Sequence, residues 1–261
     1  MKWALFILLM YYTLCASAQN STVIRCAYQN SNNFPFQLGS GSQIHKGKPG
    51  IAVEMVLMLE QRLDIEIELL RLPWKRAEQR LKEGEVDCLF NASFKKNRLA
   101  NGQYPMHEGE VDVDKRSYFN SYAIFALEGG DLVWNGDQLL NHRTGMIGAE
   151  RGFSVIADLK AMGVNIYQAN SIEQLMKLVK HQRLVGAAVF ELLGEAFLNV
   201  NRSDYLNIKK LSPSFKKKAY YLMLSHQFVK DSPELANQLW TEIAIIRESQ
   251  AFKLMLEKYL Q

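Results

Sequence analysis

What this chain lacks narrows it first. No apolar run reaches the roughly 20 residues that a membrane-spanning helix needs; the nearest, Trp3 to Leu14, has twelve. Cysteine is scarce, with Cys15, Cys26 and Cys88 alone, too few for a cysteine-built zinc site. The five histidines show no short ligand pairing, so no metal and no cofactor is expected. A dominant charge is also missing. The 31 basic and 27 acidic residues are interleaved, leaving a net +4. Lys95-Lys96 and Lys216-Lys217-Lys218 are the clearest basic runs, and neither makes a phosphate-tracking stripe, so no nucleic-acid partner is expected. Gly39-Ser40-Gly41 lacks the glycine spacing of a phosphate cradle. Glu108, Glu110, Asp112 and Asp114 lack the ligand spacing of an EF-hand and read as a solvated loop. What remains is 48% hydrophobic and 22% charged, which excludes disorder and collagen. A length of 261 residues allows one large or two modest domains.

The first eighteen residues read as an export signal. Lys2 supplies the positive start, the apolar run follows, and Ala16-Ser17-Ala18 is a small-residue cleavage site before Gln19. The expected product is periplasmic, cleaved after Ala18. Removing that segment removes Cys15. Cys26 and Cys88 are then either a disulfide, as an even pair in an oxidising compartment allows, or two small buried hydrophobes.

The mature chain alternates strands and helices. Strands are expected at Val23–Tyr28, Ile65–Leu70, Val86–Phe90, Ser121–Leu127, Gly145–Gly148, Val164–Tyr167, Ala187–Phe190 and Tyr220–Leu224. Helical periodicity runs from Gly50 through Ile51, Met55, Leu59 and Leu63. It returns after Pro73, with Trp74, Ala77 and Leu81 on one face and Gly84 as the stop. Further helices are expected at Ser154–Met162, Ile172–Lys180 and Pro233–Leu260, with Asp204–Lys217 as a polar, basic stretch. Two βαβαβ halves of this kind argue for parallel sheets with helices on their faces.

Several motifs in this order resemble a known family. Trp74-Lys75-Arg76, then Leu81-Lys82-Glu83-Gly84-Glu85-Val86-Asp87-Cys88, then Ser93 and Arg98, look like family 3 of the bacterial extracellular solute-binding proteins. Phe34-Pro35-Phe36 resembles the aromatic-proline turn after that family's first strand. Gly148 to Ser154 resembles the start of its second lobe, and Leu184–Glu191 its acid-bearing strand. The resemblance covers Val23 to Leu260. It implies an α/β, two-lobe periplasmic binding protein-like fold (type II), with two hinge strands and a ligand cleft between the lobes. Residues 19–122 and 220–261 would form lobe 1, and 123–219 lobe 2.

The same resemblance implies a non-enzymatic receptor that captures a small carboxylated solute, an amino acid or a relative. It would act as a monomer and deliver the solute to an inner-membrane ABC permease by hinge closure. An enzyme on this scaffold, such as a dehydratase, and a sensing subunit of a membrane signalling system are the alternatives. Arg98, past the end of a strand where open α/β sheets bind ligands, matches the family's carboxylate-binding arginine. A guanidinium suits that task because it offers two parallel donors. Ser93 and Asn91 match small polar positions beside it. Gly152 and Ser154 precede a helix whose free N–H groups favour an anion. Glu191 falls where the family's ammonium-binding acid lies, and Phe34 and Phe36 would either stack on the solute or sit in the core. Trp74 reads as core beneath the cleft. Two departures stand out: Asn30-Ser31-Asn32 replaces the family's first-strand aspartate, and Phe153 its usual threonine.

Overall fold

The computed structural model describes residues 21–45 and 47–260. The expected export signal lies outside them. Chain entry is a buried, alternating strand, β1 (Thr22–Gln29), whose Ile24, Cys26 and Tyr28 face the core. Helix α1 (Ile51–Leu63) buries Ile51, Met55, Val56 and Leu59 on one face. Gly50 caps it with φ 115°, and a Cβ there would lie 2.5 Å from the backbone of Gln37. Glycine is therefore what lets the helix start lie against the Phe36–Gln37 segment. Strand β2 (Ile65–Leu72), helix α2 (Trp74–Lys82) and strand β3 (Cys88–Ser93) complete the first unit, a parallel sheet ordered β2-β1-β3.

A short hairpin, β4 (Met106–His107) and β5 (Glu110–Val111), leads to the long strand β6 (Tyr118–Leu127). A second hairpin follows, β7 (Val133–Trp134) and β8 (Leu139–Leu140). The second parallel unit is β9 (Ile147–Glu150), α3 (Val155–Ala161), β10 (Ile166–Ala169), α4 (Ile172–Lys180) and β11 (Gly186–Phe190), ordered β10-β9-β11. The chain then runs through α5 (Glu191–Val200), β12 (Ile208–Lys210) and β13 (Lys216–Leu224). It finishes with α6 (His226–Asp231), α7 (Pro233–Glu248) and α8 (Gln250–Leu260).

Strands β6 and β13 join the two units. They pair antiparallel with each other from Lys216↔Tyr122 to Tyr220↔Tyr118. Beyond that overlap β6 pairs with β11 and β12, and β13 with β3. The two lobes are thus one hydrogen-bonded sheet with a two-stranded ribbon at its waist. Both lobes bury apolar residues, Ile24, Met55, Leu59 and Ile243 in one and Ile147, Val155, Leu175 and Val179 in the other, within one continuous hydrophobic cluster.

Most expected boundaries move by one to three residues, and three of the differences have a visible cause or consequence. Strand β3 starts at Cys88, not Val86, because the Asp87 carboxylate takes the N–H of Arg25 at 2.8 Å and its Nε at 3.1 Å. Strand β13 starts at Lys216, four residues before the expected Tyr220, so part of the basic stretch is hinge. The expected single C-terminal helix is broken at Ser249, whose extended backbone ends α7 and whose Oγ accepts from the Phe252 N–H at 3.2 Å. Cys26 and Cys88 are register partners in the parallel β1–β3 pair, and a disulfide joins them with the Cα atoms 4.5 Å apart.

Candidate functional site

The cleft is assembled from strand ends, as open α/β sheets favour. A narrow hollow of about 20 Å³, room for about one water, lies between the lobes. Lobe 1 contributes Gln29, Trp74, Ser93 and Arg98, the hinge Tyr122 and Tyr220, and lobe 2 Gly152, Phe153, Ser154 and Phe190.

Arg98 is the centre of its charge. It sits on the 3-10 turn Lys96–Ala100 and is only 6% exposed. Its Nε donates to Glu78 Oε1 at 2.8 Å, and Nη1 to the Ser93 carbonyl at 2.8 Å and Ser93 Oγ at 3.1 Å. Nη2 reaches across the cleft to the Gly152 carbonyl at 3.4 Å, the weakest of the four. Trp74 and Glu78 lie four apart on α2, so they share a face. That face meets the guanidinium with the indole ring at 4.7 Å and the carboxylate end-on. Trp74 is therefore a cleft wall as well as core.

Glu78 does not cancel the local positive charge. Its second oxygen takes Lys75 Nζ at 3.1 Å. Lys95 is held down to about 8, first by burial and then by Arg98 and Lys218. Lys218 is lowered by burial, against an ion pair with Asp158 on α3. Four cations thus surround this end of the cleft against two carboxylates, a surplus that favours an anionic group.

Asn91 lines the hollow, but its amide is engaged. Nδ2 donates to Gln37 Oε1 at 2.5 Å and Oδ1 accepts from the Tyr118 hydroxyl at 2.5 Å. Gln37 in turn donates to the carbonyls of Gln29 and Ser31, both at 2.8 Å. Gly152 has φ 84°, a conformation that favours glycine, and a Cβ there would crowd the Trp74 ring at 3.3 Å. The floor is aromatic. Phe36 stacks on Tyr118 (4.0 Å), Tyr118 on Tyr220 (5.5 Å) and Tyr122 on Phe190 (4.5 Å), while Phe153 leans on Phe190 (5.1 Å). The Tyr122 and Tyr220 hydroxyls are 3.0 Å apart. Burial pushes the Tyr220 phenol up to about 12 and the Tyr122 phenol well above its ordinary value, so both are neutral at any working pH.

The structure brings Arg98, Ser93, Asn91, Gly152 and Ser154 into one hollow. It does not bring Glu191 or Phe34 there. Glu191 opens α5, turned from the cleft, with Oε1 held by Lys210 Nζ at 2.8 Å and Oε2 by Ser214 Oγ at 2.6 Å. Burial pushes its carboxyl up, but those two partners outweigh it and leave the group below its ordinary range. The side chain aimed into the hollow from this strand end is its neighbour Phe190, because successive residues of a strand face opposite ways. Phe34 is half-buried against the lobe 1 core. Sequence reading passed over Glu78, Tyr122, Tyr220 and Phe190. Only Glu78 left a trace, its four-residue spacing from Trp74.

The family model for bacterial extracellular solute-binding proteins, family 3, matches residues 25–261. The chain belongs to this family. It is accordingly a binding protein, from a family that works outside the cell. No curated protein sequence matches it. Among solved structures it resembles a histidine kinase sensor domain similar to periplasmic binding proteins (TM-score 0.70, 17% identity, 92% of this chain and 96% of that one). It also resembles a putative ABC-transporter binding component from Wolinella succinogenes complexed with lysine (0.71, 13%, 90% and 94%). A third is the GluR0 ligand-binding core complexed with L-glutamate (0.69, 13%, 93% and 100%). Identities this low show the fold alone, and that fold is the two-lobed binding-protein fold.

Proposed function

We propose that this family 3 protein captures a small carboxylated solute, an amino acid or a close relative, by closing its lobes on it. The observation that carries this reading is Arg98: buried, stacked on Trp74, amid a surplus of positive charge, with its weakest bond reaching the opposite lobe. A solute carboxylate placed there would replace the long Gly152 contact with a charge-assisted one. Residues 19–122 with 220–261 would move as lobe 1 and 123–219 as lobe 2, about the β6–β13 ribbon. In the cell the protein would be exported with cleavage after Ala18, act as a periplasmic monomer and hand its solute to an ABC permease. The likeness to a kinase sensor domain supports a second reading, in which an occupied cleft signals to a membrane partner.

A thermal-shift screen of the mature protein against amino acids, polyamines and organic acids tests the ligand class. A ligand at 100 times its dissociation constant adds about 2.7 kcal/mol, a plainly raised melting temperature. The reading expects carboxylates among the stabilisers; a response to non-carboxylates alone would overturn it. Recovery of a permease or of a kinase with the crosslinked, loaded protein distinguishes delivery from sensing.

A further inference from the structure

A second hollow, of about 320 Å³, adjoins the first and shares Gln29 and Trp74 with it. Glu150 lines it from the carboxyl end of β9, 4% exposed, and no hydrogen bond reaches its Oε2. A carboxylate taken out of water without a partner is costly, so such a group is either protonated or completed by an outside cation. Neighbouring elements give it none. Strands β10 and β11 carry no charged residue. Glu173 on α4 adds a like charge, and Lys75 across the hollow is paired with Glu78. Arg151, next in the chain, also lines the hollow but is exposed and makes no ion pair with Glu150. Nor does a group of three or more metal-ligating side chains occur among the described residues.

We propose that Glu150 is the cation-binding end of the solute site, so that the solute carries a carboxylate for Arg98 and a separate positive group that reaches the second hollow. The inference rests on the carboxylated-solute reading above and narrows it to molecules bearing both charges, such as amino acids with a cationic side chain. No acidic side chain lines the first hollow, where Phe190 takes the strand-end place, so the positive end of the solute is met in the second. Burial, with Glu173 behind it, pushes the Glu150 carboxyl up to about 8, so it holds a proton while the cleft is empty. A bound cation would drive that proton off.

Calorimetry with arginine and citrulline tests this, because the two differ little in shape and only arginine has a cationic side chain. At pH 6.5, in buffers of different ionisation enthalpy, arginine should bind at least about 30-fold tighter than citrulline, the value of one desolvated charge pair. It should release close to one proton. In Glu150→Gln, shown to be folded by its cooperative melt, the preference should fall to within about threefold and the proton release should vanish. Equal binding of the two probes, or a preference that survives Glu150→Gln, would overturn the inference and leave Arg98 as the carboxylate site. Binding of neither probe would overturn it too, and the thermal-shift screen then decides separately whether any carboxylate binds.

Discussion

The link between Cys26 and Cys88 makes a stability prediction whose size follows from topology. It closes 62 residues of chain, which hold α1, β2 and α2. Loop-closure entropy for that length, about −2.1 − 1.5R ln n, is roughly −14 cal/mol/K, or about 4 kcal/mol at 25 °C. For a chain of this size that corresponds to a fall in melting temperature on the order of 10 °C. The perturbation is a set of three variants: Cys26→Ala, Cys88→Ala and both together. Because either single change opens the whole loop, each should cost about 4 kcal/mol and the double little more. That pattern is extreme non-additivity, the mark of two residues acting as one unit. Urea unfolding of the exported protein measures it, and thiol titration after denaturation should find no free thiol in wild type. Small losses that simply add would refute the reasoning, since two separate buried thiols behave in that way.

Glu150 should make the empty protein less stable as pH rises. Below its ordinary value of 4.5 folded and unfolded states both hold the proton; between there and about 8 only the unfolded state releases it. Wild type therefore loses about 1.4 kcal/mol per pH unit across that window, and Glu150→Gln should gain about 3 kcal/mol on it between pH 5 and pH 8 in urea melts. A constant gap would mean that the carboxyl is not held neutral. Glu78→Ala should destabilise by about 3–5 kcal/mol by leaving the Arg98 guanidinium buried and unpaired; a loss under 1 kcal/mol would show the pair is not formed. Arg98→Ala should weaken the best screened carboxylate at least about 30-fold, with little recovered by Arg98→Lys, which lacks the planar fork. Affinity within threefold of wild type would place the carboxylate elsewhere.

One helix is legible to the residue, while α5 (Glu191–Val200) goes unread in the sequence. Ile172–Lys180 is read without error because Ser171 accepts from the Gln174 N–H and the apolar stripe is unbroken. The hinge strand is under-read because Lys216–Lys218 look like loop. In the fold they run beside Asn120–Tyr122, with Lys217 over the Phe119 ring and Lys218 against Asp158. The site divides along similar lines. Arg98, Ser93 and Gly152 belong to local motifs and are legible. Glu191 is misplaced by one residue because the end of a strand fixes which neighbour faces inward, and sequence does not mark that end closely enough. Glu150 and Glu78 look like any surface glutamate in sequence, and only tertiary packing buries them.

In the closure proposed above, the stacked rings at the waist would serve as an axle. Phe36, Tyr118, Tyr220, Phe190 and Tyr122 lie along or against the β6–β13 ribbon, and displacement in a rotation grows with distance from its axis. Trp74 and Gly152, on opposite lobes and off the ribbon, would travel further, while the rings turn almost in place. The aromatic floor would then stay closed to water in both positions of the jaws, and swapping Phe36 or Tyr118, which do not line the hollow, for a smaller side chain would loosen the bearing, changing the resting angle of the lobes before it changed any contact with a solute.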